Sequence, residues 1–343
     1  MAPAGSQSDR LNSLVALIGV VILAGALAVF VEAQNVAKNG ARGEANASPT
    51  KTAGIMALPQ PASLSSTSRA RWQSRYFSGR AAAPRPMPAP HLIDAPPTAA
   101  RLLDHFVTIG YTLEHVRANA GAVPRVYLAR LPRDLPQVDS SDARKRIFLK
   151  AMLPLLLAEN ERILADRERV MRHTRRLASG HAPQPAERAW LERIAADYDV
   201  AAPNLDELIH RLDAVPPSLS LAQAALESGW GTSRAAQRSH AMFGQMTFRI
   251  VGEQTIAEIK TFDDLPQAVA AYARNLNTHR AYIEFRARRA AMRAAGHVPD
   301  GAELALHLLR YSERKDEYVR AVRALIRAND LGAFDAAQLA GRS

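Results

Sequence analysis

A chain of 343 residues with 48% hydrophobic side chains carries enough apolar matter for one or two packed domains plus appendages. The absence of cysteine excludes disulfides, thiolate metal sites, a cysteine nucleophile and a lipidated N-terminal cysteine. A formal charge of +11 points to an anionic partner: nucleic acid, a lipid surface or a cell-wall polymer.

Leu14–Val31 is an uncharged apolar run long enough to cross a bilayer as a helix. Arg10 precedes it, and Val31-Glu32-Ala33 makes a small-residue cleavage site before Gln34. Residues 1–33 are expected to be a signal peptide or membrane anchor, and the length of the run favours the anchor. Residues 34–98 are rich in Ala, Ser and Pro, nearly free of acids and studded with arginines such as Arg69, Arg75 and Arg85. That composition predicts a disordered basic linker, stiff at Pro84–Pro90.

Folded structure is expected from Ala99, with residues 99–199 forming an N-terminal helical region. Arg101–Arg117 reads as one amphipathic helix, with Leu102, Phe106, Ile109 and Leu113 on one face. Val123–Pro132 is extended by its prolines. Asp142–Leu177 is a charge-dense helix broken or kinked at Pro154, its arginines a solvated face partly paired with acids. Ala186–Tyr198 and Asp206–Leu212 are short helices. Pro216-Pro217-Ser218 then stops the chain, and Ser218 is the expected N-cap of a helix from Leu219 to about Ser228. Residues from Phe243 to Phe262 are the one β-like region, with a turn at Val251-Gly252-Glu253. Helices return over Leu265–Leu276, Arg280–Ala295, Gly301–Leu309 and Lys315–Ala328, and residues 331–343 read as a tail. The fold class is mainly α with a small β lobe.

Chemistry concentrates in Leu221–Phe248. Glu227 falls at the end of a short apolar helix, just before Gly229-Trp230-Gly231. Helix C-termini disfavour acids, because the unpaired carbonyls carry partial negative charge. Leu226 and Trp230 would help strip water from the carboxyl. Both effects favour the protonated form, which a general acid requires. An ordinary glutamate near a helix end is merely exposed, but this one breaks a local rule without compensation. No phosphate loop, zinc helix or Gly-x-Ser-x-Gly elbow occurs, and the histidines lack ligand spacing, so neither cofactor nor metal is expected. The β segment adds the carboxylates Glu253, Glu258, Asp263 and Asp264. One acid on a helix exit facing a small β lobe is the logic of glycoside hydrolysis. Asp263 and Asp264 before Leu265 have a simpler reading as an N-cap and a first-turn acid.

The segment ALESGWGTSR with Phe243-Gly244-Gln245, then Phe262-Asp263 with Ala268–Tyr272 and Arg274–Tyr282, then Tyr311-Ser312-Glu313-Arg314 with Tyr318, resembles the glucosaminidase domain of the Bax-type proteins. These belong to the wider group of bacterial β-N-acetylglucosaminidases acting on peptidoglycan. Arg144–Arg169, with Pro154 and Asn160, is similar to the helical region that precedes that domain. The resemblance implies a lysozyme-like, mainly helical fold over residues 200–330, with a cleft between helices and β lobe. It puts Glu227 at the catalytic glutamate and Tyr311 at a cleft tyrosine that positions substrate or water. Trp230, Phe243, Gln245 and Tyr272 would shape the sugar subsites. The second group is left open between Glu258, Glu253 and the substrate's own acetamido group. Met242 and Met246 depart from the family's usual residues.

The expectation is an endo-β-N-acetylglucosaminidase in the cell envelope, anchored to the inner membrane or secreted, that acts on peptidoglycan strands and not on nucleic acid. The alternatives are a glycan-binding scaffold without turnover and an amidase-type hydrolase; the latter lacks a zinc site.

Overall fold

The computed structural model describes residues 92–93, 98–119, 121–200, 204–251 and 254–341. The expected anchor of residues 1–33, nearly all of the expected linker and Glu253 lie outside the described residues. Among the described residues no helix is long and apolar enough to cross a membrane. The chain divides into two compact units: one carries the described residues up to Asn160 and from Val215 onward, and the other is Glu161–Ala214.

The first unit opens with a two-residue strand, β1 (Leu92–Ile93), at the far end of the stretch expected to be linker. Helix α1 (Ala99–Thr108) begins at a Thr98 side-chain cap and buries Leu102 and Phe106. It does not continue to Arg117. Gly110 at φ +67 reverses the chain, Thr112 caps a separate α2 (Leu113–Arg117), and Ile109 is exposed. The signal was a glycine followed by a hydroxyl at cap spacing. Strand β2 (Tyr127–Leu128) pairs in parallel with β1, Leu92 against Tyr127. Helix α3 (Ser141–Ala178) then runs unbroken through Pro154. Its opening turns bury Ile147, Phe148, Ala151, Met152 and Leu155 in this unit.

The second unit holds the rest of α3, α4 (Pro185–Asp197) and α5 (Leu205–Arg211). Several of the arginines expected on a solvated face are anchors here. Arg169 lies 3.9 Å over the ring of Trp190, Arg167 pairs with buried Asp213, and Arg176 bonds Glu187 at 2.6 Å. Arg162–Asp166 and Arg172–Glu168 are the expected surface pairs.

Back in the first unit, α6 (Pro217–Ser228) lies in the core. Eleven of its twelve residues are buried, and the exception is Glu227. A helix whose polar residues are mostly small serines, with apolar residues on every side, can lie in an interior. The helix starts earlier than its sequence suggested. Pro216 is its N-cap residue and Ser218 lies inside, where its backbone N–H and hydroxyl both donate to Asp335, at 2.8 and 2.7 Å. Helix α7 (Arg234–Ser239) follows, then the antiparallel hairpin β3 (Met246–Val251) and β4 (Gln254–Ile259), in register from Met246 opposite Ile259 to Val251 opposite Gln254.

Asp264 caps α8 (Leu265–Thr278) through the N–H of Gln267. A 3-10 turn at Arg280–Tyr282 leads into α9 (Ile283–Ala294), so this expected helix is two elements. Short α10 (Gly301–Leu304) and α11 (Asp316–Ala328) pack on α6. The expected C-terminal tail is structured as far as the described chain goes. Phe334 is buried, and the backbone at Gln338–Ala340 bonds that of Val123.

Candidate active site

Glu227 is held where it is by the way α6 ends. Gly229 (φ +59), Trp230 (φ +58) and Gly231 (φ +77) are all left-handed. Trp230 N–H bonds back to Ala225 O at 2.9 Å, and the Ser228 hydroxyl accepts from Gly231 N–H at 2.8 Å. This satisfies carbonyls and amides of the last turn without a basic residue. A tryptophan in the left-handed region costs on the order of 1–3 kcal/mol and marks an over-determined turn.

Burial pushes the Glu227 carboxyl up to about 7, against a hydrogen bond from Tyr318 and the charge of Arg314, which pull it down. Part of its surroundings is the backbone of Gly244. A Cβ on Gly244 would stand 2.5 Å from Glu227 Oε2, and Gly244 is itself at φ +62. Both the close approach and the torsion require glycine at the centre of Phe243-Gly244-Gln245.

Tyr318 is one link in a chain of hydrogen bonds. The hydroxyl of Tyr272 donates to Gln223 Oε1 at 2.7 Å, and Gln223 Nε2 donates to the Tyr318 hydroxyl at 2.9 Å. Having accepted that bond, Tyr318 has its own proton to direct at the Glu227 carboxyl. Gln223 and Glu227 are one turn apart on the same face of α6. Sequence reasoning did not assign a role to Gln223 or Tyr318. The available signal was the i, i+4 spacing of the two long polar side chains on a helix whose other residues are apolar or serine.

Tyr311 lies beside this chain, stacked on Tyr318 with ring centres 5.5 Å apart. Its hydroxyl donates to Phe243 O at 2.8 Å, so its proton is engaged by the backbone just before Gly244. Burial, then the nearby Tyr272 and Glu227, drive its pKa upward.

The aromatic residues expected in sugar subsites are core. Trp230 is 5% exposed and packs edge-on against Phe148 at 5.7 Å. Phe243 and Tyr272, each 1% exposed, stack on one another at 4.0 Å. Their rings are packed against other side chains of the protein. Gln245 differs: it is half-buried, and its Oε1 is a buried acceptor without a partner among the described residues.

The hairpin leaves directly from this loop, since Lys260 N–H bonds Gln245 O at 2.8 Å. Glu258 is half-buried on β4 opposite Thr247, three residues beyond Gly244. At strand rise, that rung is on the order of 10 Å from the glycine touching Glu227.

Residues 202–331 match the glucosaminidase family, described as mannosyl-glycoprotein endo-beta-N-acetylglucosaminidase. The chain is 32% identical over 209 residues to protein bax of Escherichia coli (strain K12), covering 57% of this chain and 73% of that protein. Among solved structures, the catalytic domain of the autolysin Auto from Listeria monocytogenes is 16% identical, covering 48% of this chain and 96% of that one, with a TM-score of 0.26.

Proposed function

For a chain that belongs to the Bax-type proteins and carries their glucosaminidase domain, we propose a peptidoglycan hydrolase that cleaves the glycan after N-acetylglucosamine, with Glu227 as general acid. One observation carries this reading. The single charged residue of core helix α6 is a half-buried carboxyl pushed up to about 7 by desolvation. A substantial fraction therefore keeps its proton at neutral pH and can give it to the glycosidic oxygen as the bond breaks.

Tyr318 acts through Glu227: its hydrogen bond fixes one carboxyl oxygen, so that the protonated form can aim the other at the leaving group. Tyr311 is a positioning residue for the Phe243–Gln245 backbone. The unpartnered Gln245 Oε1 suits an acceptor for a sugar hydroxyl or acetamido N–H. Glu258 is the better candidate to assist water than Glu253, because it stands on a paired strand. The substrate's acetamido group is the remaining alternative. The fold is read as lysozyme-like, and Leu14–Val31 as the tether that holds the enzyme at the inner membrane facing the periplasm.

The test is mass spectrometry of borohydride-reduced peptidoglycan digests. Wild-type protein is expected to leave reduced N-acetylglucosamine at new ends, and Glu227→Gln to leave almost none. Equal fragment release by both proteins would sink the assignment. Released stems would support amidase action, and binding without new ends would support a scaffold.

A further inference from the structure

The first unit contains a cavity of about 420 Å³ that the proposed chemistry does not use, lined by Arg130, Leu131, Arg133, Gln237, Arg238 and His240. Three of the six lining residues are arginines with exposed side chains, and no acid lines the cavity. Asp263 and Asp264, the acids whose charge acts on His240, are occupied at the start of α8. Asp264 caps the helix, and Asp263 accepts from Gln267 Nε2 at 3.0 Å. His240 is the left-handed C-cap of α7, at φ +52, and its Nδ1 is buried without a partner among the described residues. Guanidinium forks, an amide and an unpaired ring nitrogen around a small concavity make a receptor for a compact anion with hydrogen-bonding groups. The lining has no Phe, Tyr or Trp face for a nucleobase to stack on.

The cavity is built on the elements that frame Glu227. Gln237 Nε2 donates to Gly231 O at 2.8 Å, and the Leu131 side chain packs against Gly231, where a Cβ would stand 2.4 Å from Leu131 Cδ1. The end of α7 is tied to the exit of the hairpin by Phe262 N–H to Ser239 O at 3.0 Å. In peptidoglycan, alternate sugars carry a peptide through a lactyl ether, so a stem always hangs within one sugar of the bond being cut. Stem peptides bear several carboxylates on a short chain. We infer that this arginine-lined cavity binds the carboxylates of a peptidoglycan stem peptide and selects stem-bearing over bare glycan. The inference rests on the peptidoglycan reading above and adds a specificity site to it.

The experiment compares wild-type full-length protein with Arg133→Gln/Arg238→Gln, two exposed side chains outside the Glu227 network. Calorimetric titration with a free stem tetrapeptide should give saturable binding that weakens roughly tenfold or more in the double variant. The preference for native peptidoglycan over strands stripped of stems should fall by a similar factor. Arg133→Lys/Arg238→Lys, which keeps the charges and loses the forks, should lie in between. Identical tetrapeptide affinity in wild type and double variant would overturn the site. Inorganic phosphate binding as tightly as the tetrapeptide would also overturn it, by assigning the cavity to phosphate anions. Wild-type protein that binds tetrapeptide but cuts neither substrate would remove the hydrolase reading and leave the stem site standing.

Discussion

The two ends of α6 each hold a half-buried carboxyl, and they are handled in opposite ways. At the N-terminus, Asp335 reaches in from the end of the described chain and accepts from Ser218 N–H, the Ser218 hydroxyl and Gly301 N–H, at 2.7 to 3.0 Å. Burial raises it to about 6, and those three bonds hold it below where burial alone would put it. At the C-terminus, Glu227 meets a tyrosine hydroxyl, the bare Cα of a glycine and the negative end of the helix, and it rises to about 7. Comparable desolvation therefore gives a structural clamp at one end and a proton reservoir at the other. The difference lies in how many donors each carboxyl is given and which end of the dipole it faces.

Removing the acid at the C-terminal end gives the largest expected effect. Glu227→Gln should lower kcat/KM on peptidoglycan by roughly 10²–10⁴-fold. The same variant should be more stable than wild type at alkaline pH. The folded carboxyl binds its proton more tightly than the unfolded chain does, so its contribution to stability is highest below the ordinary carboxylate range and falls as pH rises through about 7. A gain on the order of 2 kcal/mol at pH 8 that vanishes near pH 4, measured by urea denaturation, is expected. No gain would mean that Glu227 is not desolvated.

Asp335→Ala should act in the opposite sense, costing about 2–4 kcal/mol of stability at neutral pH by stranding the N–H groups of Ser218 and Gly301. An unchanged denaturation midpoint would break the comparison. Gly244→Ala presses a methyl on the Glu227 carboxyl at a left-handed position. It should reduce kcat by about tenfold or more, with the alkaline limb of the pH–rate profile displaced. The smallest effect should come from Tyr318→Phe. This removes the hydrogen bond that lowers the Glu227 pKa, so the alkaline limb should move to higher pH while kcat falls only a few-fold. A limb that stays in place would show that Tyr318 supports the fold and not the acid.

The end of α6 was legible in the sequence because Gly229 and Gly231 punctuate it locally. Its beginning was not. The groups that satisfy Ser218 come from Asp335, 117 positions away, and no local rule contains them. Asp264 capped its helix as its spacing predicts, since both partners lie within one turn. The aromatic residues failed for a different reason. Trp230, Phe243 and Tyr272 stand beside the motif in sequence, yet proximity in the chain does not say which side of a helix or loop faces solvent. All three are buried against other side chains. The Tyr272–Gln223–Tyr318 chain joins three helices that meet only in the folded state. Of the break or kink that Pro154 predicts, the break does not occur, since α3 is one helix through it.

The junction at Asn160 and Val215 carries a consequence for how the molecule assembles. Asn160 gives its side-chain N–H to Val215 O at 2.8 Å and accepts from Val215 N–H at 3.0 Å, so the chain leaves the first unit and returns to it at one place. Phe148, before the excursion, packs on Trp230 after it. The active-site turn thus cannot close until the whole Glu161–Ala214 segment has been looped out, a non-local contact whose entropy must be met first. During synthesis, every residue named in the proton chain emerges after that excursion. The acid is therefore set in place late, once the segment that precedes it has already been made.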